Sequence, residues 1–224
     1  MTKIPVVQQI LSANDAIAAE NRAALDAAGS LGVNVMASPG AGKTSLILAT
    51  ARRLPEGLRL AVIEGDVAGR IDADAMTAAG IPVVQINTGG GCHLDAPMVR
   101  SALPHLLPGG VDVLMVENVG NLICPAEFSL GTHVNLVVAS TAEGHDKPYK
   151  YPGMFSAADV VALNKADVAA VFDFDFEAFQ RGVRMVNPQA PIFVVSCRSG
   201  EGLDAWVEWL AARQTAETLR RASG

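Results

Sequence analysis

Cys92 and His93 are neighbours in "GGGCHLDAPM" (89–98), and Cys124 follows in "NLICPAEF". A soft thiolate beside an imidazole suits nickel(II) or zinc(II), whereas magnesium and calcium take oxygen donors. Three protein ligands leave a coordination position open, which fits an ion that is handed on better than a closed structural site. A second chemical segment is "ASPGAGKTS" (37–45). Gly40 and Gly42 let backbone N–H groups turn toward phosphate oxygens. Lys43 can neutralise the β- and γ-phosphates, and the Thr44 hydroxyl can join a magnesium shell. Ala41 and Ser45 complete the phosphate-facing turn, and the helix that starts there adds its positive dipole end. The strict loop pattern opens with Gly; here Ala37 takes that place, which a negative φ tolerates.

Further segments at strand ends extend this nucleotide site. "NKAD" (164–167) follows the apolar run "DVVAL" and resembles the NKxD element of GTPases. There the Asp carboxylate accepts from guanine N1 and N2, while Asn and Lys support the ring. Adenine lacks those donors and would leave Asp167 unpaired, so Asn164, Lys165 and Asp167 favour GTP and GDP over ATP. "SCR" (196–198) sits where GTPases keep a short backbone contact to the base, which assigns Ser196 and Cys197 to the nucleotide. "VDVLMVENVGN" ends an apolar strand in Glu117, with Gly120 three residues on. The acid would organise magnesium, and the Gly N–H would sense the γ-phosphate. Asp66, in "IEGDVAG", is a second magnesium candidate, and sequence does not rank it against Glu117. Lys43, Asp66 and Glu117 are thus the expected catalytic groups. Lys147, in "HDKPYKYP", reads either as an exposed loop lysine or as a residue reaching a partner's nucleotide across a dimer.

The elements that must position these residues follow from hydrophobic pattern. Strands are expected at 31–37, 58–65, 82–86, 111–117, 134–140, 159–164 and 191–196. Several are nearly continuous apolar runs, as strands covered on both faces require. Helices are expected at 6–28, 44–53, 95–106, 175–186 and 202–219, the last packing Trp206, Trp209 and Leu210 into the core. This rhythm predicts an α/β fold with a doubly wound, mainly parallel sheet, and ligands at the carboxyl ends of its strands. One P-loop GTPase domain over 1–224, with the helix at 6–28 packed on it, accounts for the whole chain.

Half of the 224 residues are hydrophobic and only 5% are aromatic, which predicts an aliphatic core. A formal charge of −6 argues against a general nucleic-acid binder. No apolar run approaches the ~20 residues of a membrane span, and the N-terminus has no h-region of an export signal. Three cysteines, an odd and sparse count, suit a reducing cytoplasm rather than a disulfide scaffold. His105, His133 and His145 have no evident partner.

Together "ANDAIAAENR", "SPGAGKT", "EGD", "QINTGGGCHLDA", "ENVGNLICPAEF", "EGHDKPYKYPGMF", "NKAD", "NPQAPIFVVS" and "GEGLDAWVEWL" span nearly the whole chain. They resemble the nickel-incorporation GTPases of hydrogenase and urease maturation, specifically the hydrogenase maturation factor HypB family. The resemblance implies the dimeric metallochaperone class of P-loop GTPases. It also implies a nickel or zinc site of Cys92, His93 and Cys124 at a homodimer interface, with GTP favouring the dimer and coupled to metal handover. The implied partners are a hydrogenase maturation partner and the hydrogenase large subunit. Two departures stand out. The chain shows no N-terminal His-rich or Cys-rich nickel motif, so nickel storage is not expected, and Ser129 stands where the family commonly has Asp. Other readings are a regulatory GTP-dependent module with structural zinc, and a sister chaperone for urease.

Overall fold

The computed structural model describes residues 6–67 and 69–222. Seven parallel strands form one sheet in the order β3-β2-β4-β1-β5-β6-β7. They are β1 (Leu31–Ala37), β2 (Leu60–Asp66), β3 (Val83–Asn87), β4 (Val113–Glu117), β5 (Val134–Ser140), β6 (Val160–Asn164) and β7 (Ile192–Val194). Each expected strand is present, with ends moved by a few residues, as expected where caps rather than periodicity set the boundary. Central β1 is buried at every position, which is why "LGVNVMA" reads as an unbroken apolar run.

Helices cover both faces. They are α1 (Val6–Ala28), α2 (Lys43–Ala51), α3 (Ile71–Ala78), α4 (Ala96–Leu106), α5 (Lys147–Lys150), α6 (Pro152–Ser156), α7 (Phe176–Val186) and α8 (Leu203–Ala222). Leu31, Val33, Val35 and Ala37 pack with α2 and α8 on one face. On the other, Leu25 of α1 and Val99 and Leu103 of α4 pack on Ile63 and Val116. Trp206 is fully buried and donates its indole N–H to Thr50 Oγ1 at 2.8 Å, while Trp209 stacks on it at 5.6 Å. The tryptophans are core residues, as their helical spacing predicts.

Two polar devices on the α1 face fix the loops above the sheet. Asn14 and Asn21 lie two turns apart and point into the core. Asn14 accepts from Ala96 N–H at 2.9 Å and donates to Ser129 C=O at 2.8 Å. Asn21 donates to the carbonyls of Ala96 (2.9 Å) and Leu130 (3.0 Å). They pin the start of α4, which Asp95 also caps through Met98 N–H at 2.9 Å. Deeper in the sheet, fully buried Asn118 follows β4. Its Oδ1 accepts from Leu94 N–H and Val119 N–H, both at 2.9 Å, and its Nδ2 donates to Asn34 Oδ1 at 3.1 Å. One side chain thus holds the segment after His93, the segment after Glu117 and the central strand together.

At the opposite, amino edge of the sheet, His133 is buried between α1 and α8. Its Nδ1 accepts from Gly32 N–H at 2.9 Å, so the ring is neutral, and Nε2 faces Asp26 Oδ1 at 3.0 Å. Arg221 Nε donates to the same Asp26 oxygen at 3.0 Å. Burial, with the nearby Arg22 and Arg221 charges, lowers the His133 pKa from its ordinary 6.5 despite the opposing Asp26.

Two outcomes follow. Asn118→Leu leaves Leu94 N–H, Val119 N–H and Asn34 Oδ1 without their partner, and it lowers stability by about 2–4 kcal/mol in denaturant titration. For His133 the folded state resists a proton that the unfolded chain accepts, so stability is full above about pH 6.5 and falls as pH drops below it. Thermal scans from pH 7 to 5 show that decline in the native protein and a smaller one in His133→Gln.

Candidate functional site

All seven strands are parallel, so every candidate loop leaves the same carboxyl edge. β1 lies between β4 and β5, and the loop after it, 38–42, occupies the crevice where the connections diverge to either side. Gly42 caps α2 with φ 103°, and a Cβ there would come within 2.3 Å of Asn164 Nδ2. Only glycine meets both demands, left-handed backbone and close approach. Lys43 and Thr44 open α2, where free N–H groups and the helix dipole favour phosphate.

The base arm is built onto this loop. Asn164 Nδ2 donates to Ala41 C=O at 3.1 Å, and Lys165 Nζ donates to Gly40 C=O at 2.7 Å. Lys165 itself takes a left-handed conformation, φ 61°. Ser196 donates to Asp167 Oδ1 at 2.7 Å, which fixes the carboxylate and leaves its second oxygen outside that bond. The Cys197 N–H, expected at the base, reaches Asn164 Oδ1 at 3.2 Å. A cavity of about 330 Å³ is lined by Ser45, Asn164, Lys165, Asp167, Cys197 and Arg198. The segments "NKAD" and "SCR" therefore converge on one pocket beside the phosphate loop. Burial pushes the Cys197 thiol up to about 11, so it is a neutral wall of that pocket.

On the other side of the loop stands a pair of buried carboxylates. Thr44 Oγ1 donates to Glu117 Oε1 at 2.8 Å. Glu117 pairs in register with Glu64 on adjacent β2. The two residues are only 3% and 2% exposed, and each leaves its Oε2 buried without a partner. Burial raises both to about 7; Glu117, Asp66 and Asp72 add to the rise at Glu64, while Lys43 and Thr44 oppose it at Glu117. Unpartnered buried oxygens at this density fit a divalent cation. Asp66 is differently engaged: its oxygens accept from Val67 N–H and Gly69 N–H, each at 2.7 Å. The structure brings Glu117 to Thr44 and turns Asp66 toward its own loop. Gly120 packs on Pro39, where an added Cβ would lie 2.9 Å from the ring. Glu64 was missed by the motif reading because it resembles a strand residue in an apolar run. Its signal was a charged side chain at a core position.

The expected metal donors meet across an intervening strand. β2 separates β3 from β4, yet Cys92, His93 and Cys124 bring their donor atoms within 4.8 Å of one another. Cys92 Sγ lies 3.4 Å from His93 Nδ1. Tetrahedral ligation at ordinary metal–sulfur lengths places sulfurs about 3.8 Å apart, a spacing compatible with this clustering. Gly89 (φ 60°) and Gly90 (φ 103°) turn the chain into this position. Asn121 donates to Cys92 C=O at 3.2 Å, and the His93 ring lies against Phe128 at 4.1 Å. A thiol–thiol hydrogen bond with Cys124 raises the Cys92 pKa, and burial and the Cys124 charge add to the rise.

A second donor cluster, Asp26, His133 and Glu217, is already neutralised by Arg221 on Asp26 and Arg220 on Glu217, the latter at 2.8 Å. It is an ion-pair network. His145 accepts from Asp175 N–H at 3.4 Å, and His105 lies in the last turn of α4. Lys147 is not an exposed loop lysine: its side chain is 21% exposed and pairs with Glu143 at 3.7 Å. Ser129 offers its carbonyl to Asn14, a contact that does not need the Asp common in the family.

Comparison with known proteins places the chain in a family. The family described as "CobW/HypB/UreG, nucleotide-binding domain" matches residues 32–194. The chain is 50% identical to the hydrogenase maturation factor HypB of Azotobacter vinelandii over 217 residues, covering 96% of this chain and 71% of that protein. The crystal structure of HypB from Helicobacter pylori in complex with nickel superposes with TM-score 0.87 at 36% identity, covering 92% and 96% of the two chains. HypB from Archaeoglobus fulgidus gives 0.85 at 35% identity, covering 91% and 100%. Motifs, sheet order and overall similarity point the same way: the chain belongs to the hydrogenase maturation factor HypB family of CobW/HypB/UreG nucleotide-binding proteins.

Proposed function

We propose that the protein is a GTP-hydrolysing metallochaperone that carries nickel to a [NiFe]-hydrogenase. The observation that carries this reading is the convergence of two thiols and an imidazole at the same sheet edge as a phosphate loop and a guanine-type base arm. The ion is cargo: three donors hold it and leave a position for transfer. Nickel and zinc both suit the donor set, and the nickel complex of the Helicobacter pylori relative favours nickel.

On the nucleotide side, Asp167 would accept from guanine N1 and N2, with Ser196 holding its carboxylate and Lys165 and Asn164 bracing the loop beneath. Gly40, Ala41 and Gly42 would present backbone N–H groups to the phosphates, and Lys43 would stabilise charge developing between them. Thr44, Glu117 and Glu64 would hold magnesium, with Asp66 joining when its loop releases it. Bound there, magnesium would supply neutralisation of phosphate charge. Gly120, packed on Pro39, would report the terminal phosphate to the segment that carries Cys124.

The cytoplasm, a homodimer favoured by GTP, and the hydrogenase large subunit with a further maturation protein complete the proposal. They follow from the family's role and from exposed Cys92 and Ile123 beside the metal donors. No described helix is long and apolar enough to cross a membrane. The test is Cys92→Ala. It is expected to lose stoichiometric nickel binding at neutral pH and to leave hydrogenase unmatured in a complementation assay, with guanine-nucleotide binding retained. Full nickel occupancy and normal maturation would refute delivery by this site.

A further inference from the structure

Glu143 has no place in that scheme, yet its carboxylate joins three segments of the site. It ends the 3-10 turn Thr141–Glu143 that follows β5. Its Oε1 accepts the hydroxyl of Ser38 in the phosphate loop and lies 3.7 Å from Lys147 Nζ. The two charged side chains are only 17% and 21% exposed, and the ammonium also lies over the Tyr151 ring at 5.4 Å. The same turn touches the base arm, where Thr141 Oγ1 donates to Lys165 C=O at 2.6 Å.

Its position relative to a nucleotide follows from its neighbours. Asn164 and Lys165 hold the Ala41 and Gly40 carbonyls, which marks that side of the loop as the base side. Ser38 and Pro39 form the other lip, and Pro39 packs on Gly120, the expected contact of the terminal phosphate. Glu143 is therefore an anion at the edge of the seat for the last phosphate. Like charges at close range in a partly buried site oppose one another. What offsets the carboxylate there is one hydroxyl and one ammonium, the same kinds of donor that phosphate oxygens recruit.

We infer that Glu143 is a latch that sets the discrimination between tri- and diphosphate, an inference that rests on the guanine-nucleotide reading above. Without a terminal phosphate the carboxylate keeps Ser38 and Lys147. A triphosphate contests both donors and takes Lys147 from Glu143, so part of its binding free energy is spent on opening the latch. A diphosphate ends at Lys43 and the start of α2 and leaves the latch closed. Glu143 is a positioning residue in this account, acting through Ser38 and Lys147.

The test is calorimetric titration of the full chain with magnesium and either GDP or a non-hydrolysable GTP analogue, for the native protein, Glu143→Gln and Lys147→Gln. Glu143→Gln is expected to raise analogue affinity about three- to tenfold and to leave GDP affinity within about twofold. Lys147→Gln is expected to lower analogue affinity by a similar factor with GDP affinity unchanged. Equal changes in both affinities for Glu143→Gln, the mark of a merely structural brace, would overturn the inference, as would no change in either. A native protein that binds neither guanine nucleotide would overturn the nucleotide reading itself, and that result appears before any variant is measured.

Discussion

The buried amide of Asn118 is the constraint on which the rest of the site depends. A fully buried Asn is tolerated when its hydrogen-bonding capacity is met, and here three partners meet it. Those partners come from the metal loop, from the segment between Glu117 and Cys124, and from the central strand. One residue before it, Glu117 reaches Thr44; six residues after it, Cys124 reaches Cys92 and His93. The amide fixes the spacing of both half-sites from a single point, so neither loop moves far without disturbing the other.

Electrostatics make that linkage consequential. Glu64 and Glu117 are buried side by side with both pKa values raised to about 7, and at the thiol pair the pKa of Cys92 is raised by its neighbour Cys124. The glutamate pair is thereby held short of full ionisation at neutral pH. A cation would complete either pair, and both sit at the carboxyl ends of β4, of its neighbour β2 and of β3 beyond it. In the proposed function, ion binding on one side would alter charge and geometry a few residues from the other.

Much of this was legible in the sequence, and for physical reasons. Continuous apolar runs announce strands covered on both faces, and "GAGKT" and "NKAD" at strand ends carry their own chemistry. The cysteines and His93 were recognisable by donor type, but their convergence needed topology: sequence order does not say that β2 intervenes between β3 and β4 while the loops still meet above it. Asp66 and Glu117 could not be ranked, because the ranking lies in hydrogen bonds, Thr44 to one and two backbone N–H groups to the other. Asn14, Asn21, Asn118, Glu64 and Glu143 lie within segments that carry the family resemblance, yet no residue pattern there announces their individual roles. Each has at least one structural partner remote in sequence, such as Ser38 for Glu143, Leu94 for Asn118 and Ser129 for Asn14, so only the fold reveals what it holds.

The most direct measurement is nickel(II) titration of the protein loaded with GDP and, separately, with a non-hydrolysable GTP analogue. The account predicts one site per chain in both states, with affinities that differ at least about fivefold, the lower end of an ordinary coupling free energy. Equal affinity in the two states would contradict the claim that the nucleotide and metal loops act as one device.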